Sequence, residues 1–267
     1  MSGIEWIMLY LVLGALVGFV AGLLGAGGGG ILVPLLASIF VYQGISSGNA
    51  IHMALGTSLT CMIISSTASL RAHALRGGVV WKVVGGMAPG IIFGALLAAQ
   101  IAARVNSTYI AIFFALFMAV VAVQMFLNWK PTPSLRPTSF VGLILVGLGI
   151  GAVSALAAVG GGFLTVAYLG YKNVDMKKAI GTSAAIGFPI AIAGSIGYMI
   201  SGWSKTLDVA NTVGYVYVPA FVAISIASFI AAPYGVRLSH SLPESYLKKI
   251  FAAISLALSI KMLASFV

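Results

Sequence analysis

The sequence predicts an all-α polytopic membrane protein made of two inverted repeats, each with four long transmembrane helices plus one short helix after a glycine-rich break. Three observations predict it. Of the 267 residues, 61% are hydrophobic and 7% charged, with a mean hydropathy of +1.12, whereas a soluble domain carries about 25% charged residues. Apolar stretches of about 17 to 25 residues, the length that crosses a ~30 Å hydrocarbon slab, recur from end to end. Landmarks of the first half also return, in order, in the second.

The first stretch, residues 5–24, lacks a basic leader and a small-residue cleavage site before a polar domain, so it reads as a retained span. Long segments follow at 50–70, 80–102, 108–127, 138–157, 178–200, 212–235 and 245–266. Two shorter ones, Ile31 to Tyr42 and Phe163 to Tyr171, each come directly after a glycine cluster. The central "NWKPTPSLRPT" holds three prolines and two basic residues and is the one linker-like stretch. The expected organisation is a first repeat over 1–130, a cytoplasmic linker over 131–137 and a second, inverted repeat over 138–267, all one membrane domain.

The repeat rests on three matches. "AGLLGAGGGGILVPLL" at 21–36 aligns with "SALAAVGGGFLTVAYL" at 154–169 at an offset of 133. "ALGTSL" matches "AIGTSA" at an offset of 125, and Pro89 matches Pro219 at 130. Unequal loops produce such drift, and three ordered matches point to a duplication. Charge then sets the parity. If each long-plus-short pair returns the chain to its starting side, one side holds eleven Lys and Arg and the other only Arg104, Lys205 and Lys261. If the short segments only dip, the split is seven to seven. The positive-inside rule selects the first arrangement. Each repeat then crosses an odd number of times, the halves are inverted, and both termini face outward from the cell membrane. A full crossing and a re-entrant hairpin both fit this parity.

The net charge of +10 is spread over short loops, which reads as topology and not as a nucleic-acid surface. The single cysteine, Cys61, excludes an internal disulfide and a cysteine-cluster metal site. No cofactor or metal is expected.

Four consecutive glycines, Gly27 to Gly30, interrupt an apolar region where an ordinary helix would be broken. Inverted repeats that each carry a glycine-interrupted short helix point to a secondary transporter's binding site. Irregular backbone in a bilayer must be buried in protein or face water. The amides that open the next helix, at Ile31 and at Phe163, are the donors such an end presents to an anion. Gly160 to Gly162 form the second break, and inversion would bring the two helix ends together. The alternative is a small-residue packing seam, but a seam needs glycines on alternate turns, not in a run.

Gly-Thr-Ser occurs in both halves, as Thr57-Ser58 after Gly56 and Thr182-Ser183 after Gly181. These hydroxyls either bond back to their own helix or serve as neutral donors to anion oxygens. All four acids, Glu5, Asp175, Asp208 and Glu244, fall at segment ends or in loops. A cation carrier would be expected to hold a carboxylate at mid-membrane, so an anion is favoured. Arg71, His73 and Arg76 form either a topological basic cluster or an anion-collecting vestibule at the inner mouth.

"GFVAGLLGAGGGGILVPLL", then "HMALGTSL" and "HALRGGVVWK", with a weaker second copy, resemble the sulfite exporter TauE/SafE family of membrane permeases over essentially the whole chain. The resemblance implies secondary transport of a small sulfur-containing anion such as sulfite, thiosulfate or an organosulfonate, with H+ and Na+ both open as coupling ion. Membrane lipids are the other partner expected. It supports Gly27 to Gly30, Thr57, Ser58, Gly160 to Gly162, Thr182 and Ser183 as site residues. Ala167 and Phe163 depart from the pattern, where the first copy has Pro34 and Gly30. Other classes weighed are a passive anion channel, a non-transporting membrane scaffold and an intramembrane serine hydrolase using Ser58 or Ser183 with His52 or His73. His52 lies six residues before Ser58, about 120° away around a helix, so that pair would not share a face.

Overall fold

The computed structural model describes residues 3–24, 28–127, 139–241 and 244–266. The linker at 131–137 lies outside them. Ten helices occur among the described residues: α1 (Gly3–Leu24), α2 (Gly29–Tyr42), α3 (Ser47–Leu75), α4 (Trp81–Ala102), α5 (Ser107–Leu127), α6 (Phe140–Ala157), α7 (Gly162–Tyr171), α8 (Met176–Gly202), α9 (Val218–Ser241) and α10 (Glu244–Phe266). Seven of these (α1, α3, α4, α5, α6, α8 and α9) are long and apolar enough to cross a membrane; the apolar part of α10 is the shorter Ala252–Ala264.

One expected span starts late. Residues 212–217 form two short antiparallel strands, β1 (Thr212–Val213) and β2 (Val216–Tyr217), ahead of α9. Gly214 has φ 55° and opens the two-residue loop, the position a type II′ hairpin gives to glycine. The fold is therefore helical with one small hairpin. Its apolar sequence reads as the start of a span, because hydropathy does not distinguish a packed loop from a helix.

Helix α3 is buried without interruption from Ala50 to Met62, its polar side chains included. It packs against α2, α8 and α9. Large apolar side chains are exposed along α5 (Leu116, Val120, Val123) and α9 (Val222, Ile226, Phe229). Such faces are stable against hydrocarbon.

Cross-helix pairs give the running directions. Along α3 and α8, Gly56 faces Tyr198, Thr60 bonds Ser195 at 3.2 Å and His73 faces Gly181, so the two are antiparallel. Along α3 and α9, Thr57 meets Tyr217 and Cys61 meets Phe221, so these are parallel. Helix α1 is parallel to α9, with Gly14 against Ile224 and Gly18 against Ser228. Helix α4 is parallel to α6, with Gly86 against Leu143 and Gly94 against Leu148 and Ala152. The N-terminal part of α3 meets the end of α4 where His52 lies 2.9 Å from the Ala102 carbonyl, so α3 and α4 are antiparallel. It follows that α1 and α3 run one way, and α6 and α8 the other.

The seams of α1 with α9 and of α4 with α6 are made by small residues that let backbones touch. A methyl on Gly14 would lie 2.7 Å from the Ile224 backbone, and one on Gly90 would overlap the Ile144 carbonyl. Gly14 and Gly18 of α1 recur as Gly147 and Gly151 of α6, at the same offset of 133 as the glycine breaks.

Candidate functional site

The glycine breaks meet in the buried interior. Gly28 caps α2 with φ 67° and Gly161 caps α7 with φ 66°, the left-handed region where a side chain costs roughly 1–2 kcal/mol. They stand at the repeat offset of 133, so the two helix starts have the same local conformation. Gly29, the first residue of α2, lies so close to the carbonyl of Ala158 at the other break that a methyl there would overlap it. Gly30 faces Val159. Gly160 touches Met62 of α3, and its carbonyl would lie 2.8 Å from a methyl on Gly187 of α8. The Met62 thioether, buried to 1% exposure, packs against both Gly29 and Gly160. The centre of the molecule is thus two broken helices back to back, with one flexible side chain between them.

Gly29 and Gly30 of α2, and Gly162 of α7, are the opening positions of their helices, whose amides have no acceptor within the helix. Ile31 differs from expectation: its amide donates to the Gly28 carbonyl at 3.1 Å. The tight turn at Gly28 supplies that acceptor, so the amides presented at the first break are those of Gly29 and Gly30. Phe163, one residue into α7, is half-buried. Gly27 lies outside the described residues.

The Gly-Thr-Ser motifs are placed elsewhere. Thr57 accepts a hydrogen bond from the Tyr217 amide at 3.0 Å, and Thr182 accepts one from the Val80 amide at 2.9 Å. Beside each, the glycine makes room for the same incoming segment: a methyl on Gly56 would lie 2.6 Å from the Tyr215 carbonyl, and one on Gly181 would overlap the Gly78 carbonyl. Each motif therefore docks the backbone that leads into α9 or into α4. Thr57 lies five residues before Met62 along α3, and Thr182 five before Gly187 along α8, about 7.5 Å in each case. Because α3 and α8 are antiparallel, the two docks lie on opposite sides of the breaks. Ser183 bonds back to the Ile180 carbonyl at 2.8 Å, whereas Ser58 is buried with no protein partner.

Around the Thr57 dock, both ring nitrogens of His52 lie 2.9 Å from carbonyl oxygens, those of Gly48 and Ala102. The ring stacks on Tyr215 at 5.1 Å between centroids, and burial pushes the Tyr215 phenol above its ordinary pKa. His52 is committed to backbone and is no base for Ser58. The ammonium of Lys205 donates to the Ala103 carbonyl at 3.1 Å. Around the Thr182 dock, half-buried His73 packs on Gly181, while Arg71 and Arg76 are exposed. The acids stay at element ends: Asp175 caps α8, accepting from the amides of Lys177 and Lys178 at 3.0 and 3.3 Å.

Sequence reading missed the docking role of Gly-Thr-Ser, because each partner lies more than a hundred residues away in the chain. It also missed the recurrence of Gly14 and Gly18 at the established offset, a signal that was readable.

Two broken helices meeting inside a bundle of long apolar helices define the class: a polytopic helical membrane protein with a buried discontinuity. The chain belongs to the sulfite exporter TauE/SafE family, whose model matches residues 10–262. It is 34% identical over 261 residues to a probable membrane transporter protein of Haemophilus influenzae, covering 96% of this chain and 98% of that one. It is 28% identical over 256 residues to a probable membrane transporter protein of Methanocaldococcus jannaschii, covering 92% and 91%. A third such protein, of Bacillus subtilis, is 26% identical over 248 residues, covering 90% and 94%. No solved structure matches the chain significantly.

Proposed function

We propose that the protein is a secondary membrane transporter that moves a small sulfur-containing anion, such as sulfite, thiosulfate or an organosulfonate, by alternating access. The observation that carries this is the meeting of the two broken helices, Gly29 against Ala158, in the buried interior. A helix start presents amides and a positive dipole end to an anion without a full counter-charge. The placement of all four acids away from the breaks agrees with anionic cargo.

In this reading the halves, 1–130 and 138–267, are inverted repeats. The opposite running directions of α1 and α6, of α3 and α8, and of α4 and α9 support that reading, as does the equivalence of the α1–α9 and α4–α6 seams. Both termini face out of the cell, the basic ends of α3 and α8 face in, and the anion passes the level of the breaks. The Thr57 and Thr182 docks are then the outer and inner closures, which open in turn while the breaks hold the cargo. Arg71, His73 and Arg76 gather anions at the inner one.

Counterflow of labelled sulfite, thiosulfate and sulfoacetate in proteoliposomes tests this reading. Saturable counterflow of a sulfur anion, lost in Gly28→Ala while the protein stays folded, is expected. Flux that neither saturates nor shows counterflow would instead mark a passive channel, and no flux under any gradient would end the transport reading.

A further inference from the structure

Several buried hydroxyls bond back to the backbone of their own segment. Thr60 donates to the Gly56 carbonyl at 2.8 Å, Ser183 to Ile180 at 2.8 Å and Thr206 to Gly202 at 3.1 Å. Thr165 of α7 does not. It is fully buried, its hydroxyl has no protein partner, and the carbonyl one turn back, that of Gly161, accepts the amide of Thr165 itself at 2.8 Å. Ser154 of α6 is likewise fully buried without a protein partner for its hydroxyl. The two residues flank the second break, Ser154 four residues before Ala158 and Thr165 four after Gly161. A buried hydroxyl left unpaired costs about 1–3 kcal/mol, so two beside one helix break call for an acceptor there.

The placement of Thr165 says where that acceptor is. Its oxygen lies 3.5 Å from the point a methyl on Gly161 would occupy, at the cap of α7, where the first amides and the positive helix end converge. The first break has no such groups. At the repeat offset of 133, Thr165 corresponds to Leu32 and Ser154 to Ala21, and Ala21 and Val17 line Gly28.

We infer that Thr165 and Ser154 donate hydrogen bonds to the anion's oxygens at the start of α7, and that the first break is not a second, equivalent seat. This rests on the transporter reading above and makes it more specific. Two neutral hydroxyl donors and a helix end suit a group with several acceptor oxygens on one centre, as in sulfite or a sulfonate head, over a halide of the same charge. Ser58, which faces the same way as Met62 one turn along α3, is a third buried hydroxyl without a protein partner and lies toward the Thr57 dock.

The test is counterflow of labelled sulfite and methanesulfonate by the full chain, with chloride as competitor. It compares the wild type, Thr165→Val, Thr165→Ser, Ser154→Ala and Ser255→Ala; Ser255 in α10 is an equally buried hydroxyl without a protein partner. Removing one hydrogen bond to a charged group should raise the KM of Thr165→Val about tenfold to a hundredfold. Thr165→Ser and Ser255→Ala should keep the wild-type KM. The thermal midpoint of Thr165→Val without anion should not fall, since no protein hydrogen bond is lost. A wild-type KM in Thr165→Val, or an equal rise in Ser255→Ala, overturns this site and leaves the transporter reading intact. No counterflow of either anion by the wild type overturns the transporter reading for these cargoes, and this site with it.

Discussion

Replacing Thr57 by Val keeps the shape of the side chain and removes the oxygen that accepts the Tyr217 amide at 3.0 Å. The amide sits where the hairpin enters α9, against a fully buried stretch of α3. A buried donor left without an acceptor costs about 1–3 kcal/mol. The cost falls on opening of the 212–217 hairpin, so hydrogen exchange of the Tyr217 amide should accelerate about fivefold to a hundredfold. Val80 is the matched control, because its amide is held by Thr182 at 2.9 Å. His73 faces Gly181, so the docks stand about fifteen residues, or about 22 Å, apart along the antiparallel α3 and α8, beyond the range at which substitutions couple. Thr182→Val should therefore release Val80 and leave Tyr217 unchanged, and the double variant should lose the sum of the two stabilities. Exchange measured by mass spectrometry in detergent reads both amides. If Thr57→Val leaves Tyr217 as protected as in the wild type, the docking role of Gly-Thr-Ser is wrong.

Other outcomes follow from the same geometry. Gly28→Ala puts a side chain at φ 67° with its methyl 2.9 Å from Val17 and Ala21; the backbone strain alone is about 1–2 kcal/mol, and counterflow should be lost before the fold is. Gly90→Ala drives a methyl into the Ile144 carbonyl of α6 and should lower the yield of monodisperse protein in size-exclusion chromatography, with Gly85→Ala, which meets open space, as the control. Cys61 is 6% exposed with its thiol toward the Phe221 carbonyl; maleimide should label it only after denaturation, and labelling of the folded protein would contradict this packing. His52→Leu removes the single N–H that a neutral imidazole offers to the Gly48 and Ala102 carbonyls; the Ala102 carbonyl keeps the Val105 amide, so the thermal midpoint should fall only through the loss of one hydrogen bond, about 0.5–1.5 kcal/mol.

Much of the fold was legible in the sequence because membrane helices are set by length and apolarity, which are local. The breaks at Gly28 and Gly161 were legible for the same reason: a glycine run inside an apolar segment has few structural uses. The hairpin was not, since "TVGYVY" is as apolar as a span and only Asn211 and Gly214, both at positive φ, mark the turn. Ile31 was misjudged because a glycine cap at positive φ tightens the first turn enough to give its amide an acceptor. Thr57 and Thr182 carried the right chemistry, a buried hydroxyl in each half, but their partners are backbone groups delivered by distant loops. Spacing cannot reveal such pairings. Thr165 escaped notice altogether, because a lone threonine in a short apolar helix has no local signature; only its missing partner distinguishes it.

The glycine seams also bear on how the chain is made. The small-residue face of α1 is completed by α9, and about 190 residues must be synthesised between the two helices. At ribosomal speeds that interval lasts roughly 10 to 40 s, during which Gly14 and Gly18 have no helix to receive them. The face of α4 waits a shorter time for α6. Neither half can finish its own packing before the other is in the bilayer, so the first half expressed alone would be an incomplete folding unit. The insertion machinery, or a surrounding shell of lipid, must keep α1 available until the last fifth of the polypeptide arrives.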